Sequence, residues 1–338
     1  MNKFRTVDLF CGGGGLSQGL QDAGFDVVAA FDWWQPAIDF YNQNIQGHQA
    51  YKQDLSNIPE SVERIREWQP SVIVGGPPCQ DFSSAGKRDE NGGRASLTNA
   101  FAMIVSLVRP QLFIMENVDR ALKTETYKQA LNIFANAGYH LTISVLDASL
   151  CGVPQKRKRA VVVGTLKETS VSLIDIYKQM QSDKPMTVRD YLGNSLGIEY
   201  YYRHPRSYAR RGIFSIDEPS PTIRGVNRPI PKGYAGHPGD AASISTTELR
   251  PLTTKERSLI QTFPKDWKMQ GKKSEIEQII GNAVPVKLAE YIGKAIIEVD
   301  KQDEIVGQFT YNQNISIKTT TNLVQQWFVF EQTTKYNK

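Results

Sequence analysis

The stretch DLFCGGGGLSQGL, residues 8–20, decides the first part of the fold. It follows a run of β-branched residues and leads into a helical pattern, which predicts a turn from a first strand into a first helix. Glycines in such a turn let the backbone approach a ligand, and the helix N-terminus offers free N–H groups. Gly12 and Gly14 match the first two positions of the dinucleotide fingerprint, but Ser17 stands at the third, which counts against NAD.

An acidic residue stands where a nucleotide site would need one. Asp32 lies 20 residues after Gly12, at the end of the second predicted strand. From that place a carboxylate accepts hydrogen bonds from ribose hydroxyls. Trp33, the next residue, is able to stack on an adenine. Taken alone, this stretch fits a nucleotide site and a tight turn with a surface aspartate equally well.

Short apolar runs alternate with helical stretches along the first half of the chain. This pattern predicts an α/β fold with a parallel sheet covered by helices. The predicted strands are 6–9, 27–32, 71–75, 112–116, 141–146 and 160–164. The predicted helices are 16–23, 35–43, 97–108, 127–137, 253–262 and 286–299.

The character of the sequence changes at about residue 186. Arg, Tyr, Pro and Gly then dominate with little periodicity, as in TIRGVNRPIPKGYAGHPGD at 222–240. We therefore predict a main domain over 1–186, a smaller, loop-rich domain over 187–252, and helices over 253–338 that complete the main domain. The tail from about residue 302 is rich in Thr, Asn and Gln.

Basic charge is concentrated in one segment of the chain. The net charge is +5, from 40 Lys and Arg against 35 Asp and Glu. Residues 203–232 contain seven basic and two acidic residues, and the two kinds balance elsewhere. This segment is where the sequence predicts contact with a nucleic acid.

Composition places the chain among ordinary cytosolic proteins. Its 338 residues have a mean hydropathy of −0.40. Three cysteines are too few for a disulfide framework and have no zinc-ligand spacing, so we expect free thiols and no metal. The sequence shows no apolar run of roughly 20 residues and no signal-peptide core at its start, so we expect a cytoplasmic location without a membrane partner.

The nonapeptide GGPPCQDFS, residues 75–83, puts a cysteine directly after a buried strand and two prolines. Open α/β sheets place their reactive groups in loops at the carboxyl ends of parallel strands. A thiol fixed there is poised as a nucleophile, and the context favours this hypothesis for Cys79 over a small buried core cysteine.

Charged residues end two further strands. Glu116 in ENV follows an apolar run and is predicted to emerge at the same sheet edge as Cys79, although alone it also fits a helix cap. In QKRKR, strand alternation puts Gln155, Arg157 and Arg159 on one face and both lysines on the other. Alone, QKRKR fits a solvated turn or a phosphate contact.

Together these motifs resemble the DNA (cytosine-5) methyltransferases, typically the bacterial modification enzymes. DLFCGGGG, GGPPCQDFS, ENV, QKRKR, EPSPTIRG and GNAVP occur in the family's order, and only 187–210 and the C-terminal tail lie outside the resemblance. The resemblance implies a Rossmann-like S-adenosylmethionine-dependent methyltransferase sheet with a smaller target-recognition domain over 187–252. It also implies a double-stranded DNA substrate, a monomer, and a restriction-modification system whose cognate endonuclease forms no stable complex with it.

The resemblance further implies which residues line the S-adenosylmethionine pocket. Asp32 would bind the ribose, where the family more often has Glu, Trp33 would stack on the adenine, and Asp54 would accept from its amino group. The other implied pocket residues are Phe10, Gly12, Gly14, Gly15, Leu55, Pro77, Leu97, Asn282 and Val284.

For the substrate, the resemblance makes Cys79 the nucleophile and Glu116 the group that holds the cytosine ring nitrogen. Arg157 and Arg159 would serve the flipped base and lower the thiol pKa. Cys151 stands where an aromatic residue is common, and we interpret it as a packing residue. The residues implied to contact DNA are Gln80, Ser83, Arg211, Thr222, Arg224 and Arg228.

Three other functions compete with DNA methylation. A transfer RNA methyltransferase of the same fold is disfavoured by the cationic second domain. A non-catalytic DNA-binding regulator is disfavoured because Cys79, Glu116 and both arginines are intact. A NAD enzyme is disfavoured by Ser17 and by the loop of two prolines and a cysteine.

Overall fold

The computed structural model describes residues 4–78, 96–207, 209–246 and 248–312, with the side chains of 305–312 left out. Cys79, Gln80 and Ser83, which the sequence singles out, lie outside the described residues.

A seven-stranded sheet forms the centre of the molecule, in the order β3-β2-β1-β4-β5-β8-β6. Along the chain, the strands are β1 Arg5–Leu9, β2 Asp26–Asp32, β3 Ala50–Lys52, β4 Val72–Gly75, β5 Leu112–Val118, β6 His140–Asp147, β7 Gln155–Lys156, β8 Lys158–Thr165, β9 Tyr200–Tyr202, β10 Ile213–Ser215 and β11 Ser220–Pro221. The helices are α1 Gly15–Ala23, α2 Gln35–Asn44, α3 Ile58–Arg66, α4 Leu97–Val108, α5 Glu125–Asn136, α6 Leu173–Met180, α7 Val188–Leu192, α8 Thr254–Ile260, α9 Lys273–Asn282 and α10 Val286–Asn312. In the described residues, no helix is both long and apolar enough to cross a bilayer.

One strand corrects the sequence-based expectation of a parallel sheet. All six predicted strands form, but β8 runs antiparallel to both β5 and β6. The connection from β6 to β8, residues 148–157, holds only a short 3₁₀ turn and β7. A parallel pairing needs a crossover of a dozen or more residues, usually a helix, so this short connection reverses the chain.

Helices cover both faces of the sheet. On one face, Phe113 of β5 stacks on Phe134 of α5, with ring centroids 4.0 Å apart. On the other face, α1 packs against α10, and Gly19 allows the close approach, since a Cβ there would lie 2.2 Å from the Val286 carbonyl oxygen. The last long helix therefore returns to the first one and brings residues 282–284 beside residues 10–15.

Residues 187–252 contain little regular structure, as their composition predicts. Tyr202, Ile213 and Tyr234 form a small core there. The Asp240 carboxylate organises it by accepting hydrogen bonds from the backbone N–H groups of Gly212 and Ile213 and from the Tyr234 hydroxyl. The segment also shares a large core with the helices around it, so it is packed onto the main sheet. The predicted domain boundaries stay a prediction.

Candidate active site

A cavity of about 1850 Å³ opens at the carboxyl ends of β1, β2, β4 and β5. This is the edge at which open α/β sheets bind ligands. Its opposite wall comes from residues 203–225 of the basic segment, which spans 203–232, and from the turn between α9 and α10. The cavity therefore brings the two groups of sequence-predicted residues, from the sheet edge and from the basic segment, to one place.

Asp32 is fixed at this edge by backbone donors. The Gly12 N–H donates to Oδ2 at 2.9 Å, and the Trp34 N–H donates to Oδ1 at 2.8 Å. Burial raises the pKa of Asp32, and these hydrogen bonds oppose the shift. Gly12 has a φ of 54°, and a Cβ there would meet no atom within 4 Å, so its backbone is open to a ligand. Phe10 holds the left-handed conformation without being glycine, at a φ of 59°.

Gly14 and Gly15 serve the packing of α1 and are not among the cavity-lining residues. A Cβ on Gly15 would lie 2.2 Å from the Val284 carbonyl oxygen, and one on Gly14 would lie 2.9 Å from the Tyr41 and Ile45 side chains. Close packing therefore explains why glycine stands at two of the four positions 12–15. Their contact with the cofactor stays a prediction.

The remaining residues predicted for the cofactor line one continuous side of the cavity. Trp33 is 63% exposed there, which is unusual for so large an aromatic side chain. Asp54 turns towards the start of α3, because its Oδ1 accepts from both the N–H and the hydroxyl of Ser56. The others on this side are Leu55, Pro77, Leu97, Asn282 and Val284. A fixed carboxylate, an open glycine and an exposed ring suit an adenine nucleoside such as that of S-adenosylmethionine.

Glu116 lies in β5, two residues before the strand ends at Val118; it lines the cavity and is buried. Its Oε1 lies 2.7 Å from Nε of Arg159. Oε1 nevertheless receives no hydrogen bond of ordinary geometry from the described residues, so this contact is an ion pair without a well-aimed N–H. Oε2 faces Gly76, where a Cβ would lie 3.3 Å away. Glycine thus leaves room for the carboxylate beside the loop that leads to Cys79.

Asn117 is a site residue that the sequence analysis missed. Its Nδ2 donates to the Pro77 carbonyl oxygen at 3.0 Å, and its Oδ1 accepts from the Val118 N–H. The side chain is buried, and it ties β5 to the loop after β4. Its position inside the ENV motif was the available signal, but only the fold reveals which backbone atom it reaches.

The alternation predicted for QKRKR is found: Gln155, Arg157 and Arg159 are buried, while Lys156 and Lys158 are exposed. The guanidinium of Arg157 does not point freely into the cavity. It donates to three backbone carbonyls, those of Ile223, Gly281 and Ala283. Burial and the charge of Arg159 lower its pKa. Arg157 therefore joins the basic segment to the turn before α10.

The basic segment supplies the opposite wall through Arg203, Arg206, Arg210, Arg211 and Arg224. Arg211 is paired with both carboxylate oxygens of Glu218 and lies over the Phe214 ring, 4.4 Å from its centroid. Thr222 donates from its hydroxyl to the Lys156 carbonyl oxygen at 2.8 Å, beside the pairing of β7 with β11. Arg228 is exposed and is not among the residues that line the cavity.

The fold and the site define a class of protein. The chain belongs to the C-5 cytosine-specific DNA methylase family, whose model matches residues 4–298. It is an S-adenosylmethionine-dependent DNA (cytosine-5) methyltransferase of the bacterial type II kind.

Two curated relatives are similar over nearly their whole length. The Type II methyltransferase M.HindV of Haemophilus influenzae is 55% identical over 298 residues, which are 88% of this chain and 98% of the relative. The Type II methyltransferase M.HgiDI of Herpetosiphon aurantiacus is 55% identical over 292 residues, 86% of this chain and 94% of the relative.

Solved structures share the fold at low sequence identity. The Dnmt2 methyltransferase of S. pombe superposes with a TM-score of 0.66 at 20% identity, covering 87% of this chain and 98% of that one. The Entamoeba histolytica methyltransferase EhMeth gives 0.65 at 18% identity, covering 90% and 99%. The predicted Rossmann-like methyltransferase fold is therefore confirmed.

Proposed function

We propose that this enzyme methylates carbon 5 of one cytosine, flipped out of a specific duplex DNA sequence, through a covalent adduct with Cys79. The observation that carries the proposal is the position of Glu116. Its buried carboxylate lies between the predicted cofactor wall and the basic segment, against Arg159 and beside the loop that leads to Cys79. A base inserted there would lie within reach of both walls.

The cofactor side would hold the adenosine part of S-adenosylmethionine. Asp32 would accept from the ribose hydroxyls, the Trp33 ring would lie on the adenine, and Asp54 would accept from the amino group. When bound, the cofactor supplies an electrophilic methyl group on its sulfonium. Leu97, Asn282 and Val284 would close the pocket against water.

The base side would raise the nucleophilicity of carbon 5, which is too low in free cytosine for direct methylation. The Cys79 thiolate would add to carbon 6, forming a carbon–sulfur bond and moving an electron pair towards carbon 5. Glu116 would hold the ring nitrogen that gains negative charge. After carbon 5 has taken the methyl group, a base such as water would remove its proton, and the carbon–sulfur bond would break to release the thiolate.

The DNA must give up a base pair for this chemistry, because the target atoms are inaccessible in a stacked duplex. Extrusion costs a few kcal/mol, and phosphate contacts must offset it. Arg206, Arg210, Arg224 and Arg228 are the candidates for contacts to phosphates and to guanine edges. Thr222 holds its segment against β7. Gln80 and Ser83 follow Cys79 in the sequence.

The family and the names of the relatives support a proposal for the biological role. We propose that the enzyme acts as a monomer in the cytoplasm and protects host DNA within a restriction-modification system. Its cognate endonuclease would recognise the same sequence without forming a stable complex with it.

The test is to incubate the purified enzyme with S-adenosylmethionine and unmethylated DNA, and to map 5-methylcytosine by base-resolution sequencing. We expect marks in one short sequence context, with none from Cys79→Ala and a large loss from Glu116→Gln. Both variants should still bind the cofactor. Absence of 5-methylcytosine from a wild-type protein that binds the cofactor would contradict the proposal, and transfer RNA would be the next substrate assayed.

A further inference from the structure

A buried ion pair lies behind the basic segment, outside the machinery described so far. Arg257 of α8 and Glu277 of α9 form a salt bridge, with side chains only 5% and 4% exposed. The Thr254 hydroxyl donates to the same carboxylate at 2.7 Å. Burying two charges costs desolvation free energy, and apolar residues of similar size usually stabilise a core as well or better. A buried pair at this place therefore suggests a function beyond stability.

The second amino nitrogen of Arg257 shows what the pair holds. It donates to the backbone carbonyl oxygen of Arg224, a residue of the basic segment that lines the cavity and whose own side chain donates to the His204 carbonyl oxygen. The preceding carbonyl, that of Ile223, accepts from Arg157. Two buried guanidinium groups from different elements thus hold two consecutive carbonyls of the basic segment.

The backbone at this point has little freedom to move away. A Cβ on Gly281 would lie 2.1 Å from the Gly225 nitrogen, so the two glycines bring their backbones into direct contact. Arg257 reaches both Glu277 of α9 and the carbonyl of Arg224, because a planar guanidinium carries diverging donors that a lysine does not have. Arg257 and Glu277 are far enough behind the wall that neither lines the cavity.

We propose that Arg257, oriented by Glu277, is a positioning residue for sequence recognition: it fixes the backbone of Arg224 so that this side chain meets the DNA in one direction. This inference rests on the proposed DNA methylation. It assigns to the pair an effect on DNA affinity and on discrimination between sequences, with no effect on the chemical step or on the cofactor.

The test replaces both charges, with the variant Arg257→Met and Glu277→Met. This double variant leaves no unpaired buried charge, so it is expected to fold with a melting temperature close to that of the wild type. It also leaves the Arg224 carbonyl without its donor. We expect KM for DNA to rise about five- to tenfold, and discrimination against single-mismatch sites to fall by a similar factor, since one hydrogen bond contributes about 1 kcal/mol. The values of kcat and of Kd for S-adenosylmethionine should stay within about twofold of the wild type.

A matched control removes another ion pair of the same region. Arg250 and Glu256 are paired at 2.7 Å beside α8, and neither lines the cavity. The variant Arg250→Met and Glu256→Gln keeps an acceptor for the Thr253 N–H, which Glu256 caps. KM for DNA and discrimination should be unchanged in this variant.

The results separate the possible failures. A folded Met/Met variant with wild-type KM and discrimination would overturn the positioning role and leave the pair with stability alone. A second substitution, Arg257→Lys with Glu277 intact, should show the same loss of discrimination, and full recovery by lysine would also contradict the proposal. A wild-type enzyme that binds DNA but never methylates it would instead overturn the proposed function.

Discussion

The side-chain amide of Asn117 donates a hydrogen bond to the Pro77 carbonyl oxygen at 3.0 Å. Pro77 stands two positions before Cys79, and Glu116, the residue before Asn117, lines the cavity. One buried amide therefore sets the start of the nucleophile's loop against the strand that carries Glu116.

Replacing Asn117 by Ala should slow methylation more than it weakens binding. Loss of the amide frees the Pro77 carbonyl, and misplacement of a reacting group by about 1 Å can lower a rate by about a hundredfold. Single-turnover methylation at saturating DNA and cofactor measures the chemical step. We expect a fall of about ten- to a hundredfold, with Kd for S-adenosylmethionine unchanged. A single-turnover rate equal to that of the wild type would show that the loop does not need this bond.

Replacing Trp33 by Ala should weaken cofactor binding. The ring is exposed in the cavity, and stacking of a base on an aromatic side chain contributes ~1–3 kcal/mol. Calorimetry should therefore give a Kd for S-adenosylmethionine at least about fivefold higher, with partial recovery in Trp33→Phe. The control is Leu107→Ala, which removes another exposed apolar side chain outside the cavity. Equal affinities of the wild type and Trp33→Ala for S-adenosylmethionine would show that the adenine does not stack on this ring.

Replacing Lys156 and Lys158 together by Ala should change the salt dependence of DNA binding. Both side chains are exposed and line the cavity, on the opposite side of the strand from Arg157 and Arg159. Each phosphate contact contributes a slope of about −0.9 to log K against log salt, so losing both should reduce the slope by about 2. Binding is measured by fluorescence anisotropy over a range of salt concentrations, with Lys265→Ala as an exposed control. An unchanged slope would place the DNA backbone elsewhere.

Structure could be predicted from the sequence where a local pattern determines it. Alternation alone put Gln155, Arg157 and Arg159 inside and both lysines outside, because the period of a strand is two. It could not reveal that Arg157 reaches the carbonyls of Ile223, Gly281 and Ala283, since those atoms are distant in sequence. The direction of β8 was missed for a different reason, because a short run of apolar residues has the same pattern in either orientation.

Replacing Asp8 by Asn should alter how stability depends on pH. Burial raises the pKa of Asp8 to about 7, although the Ser17 hydroxyl donates to it at 2.6 Å. The folded protein therefore holds a proton that the unfolded chain releases near pH 4. Its contribution to stability is present below about pH 4 and is lost as the pH rises to about 7, with a slope of up to about 1.4 kcal/mol per pH unit.

The measurement is urea unfolding of both proteins between about pH 5 and pH 7. Burial lowers the pKa of nearby His48 to about 4, which adds a contribution of opposite sign to both curves. The informative quantity is therefore the difference in unfolding free energy, which should shift in favour of Asp8→Asn as the pH rises. Parallel curves would mean that Asp8 stays ionised in the folded protein.

The packing of α10 on α1 has a consequence for protein synthesis. The predicted cofactor wall combines Gly12 with Val284 from a much later part of the sequence, and a Cβ on Gly15 would lie 2.2 Å from the Val284 carbonyl oxygen. A chain still being translated therefore lacks the Asn282 and Val284 part of this wall until the start of α10 has left the ribosome. Contacts between residues so far apart in sequence also form late in folding. Nascent or prematurely terminated chains should accordingly lack cofactor affinity. Chains without residues 282–284 should therefore be unable to methylate the genome.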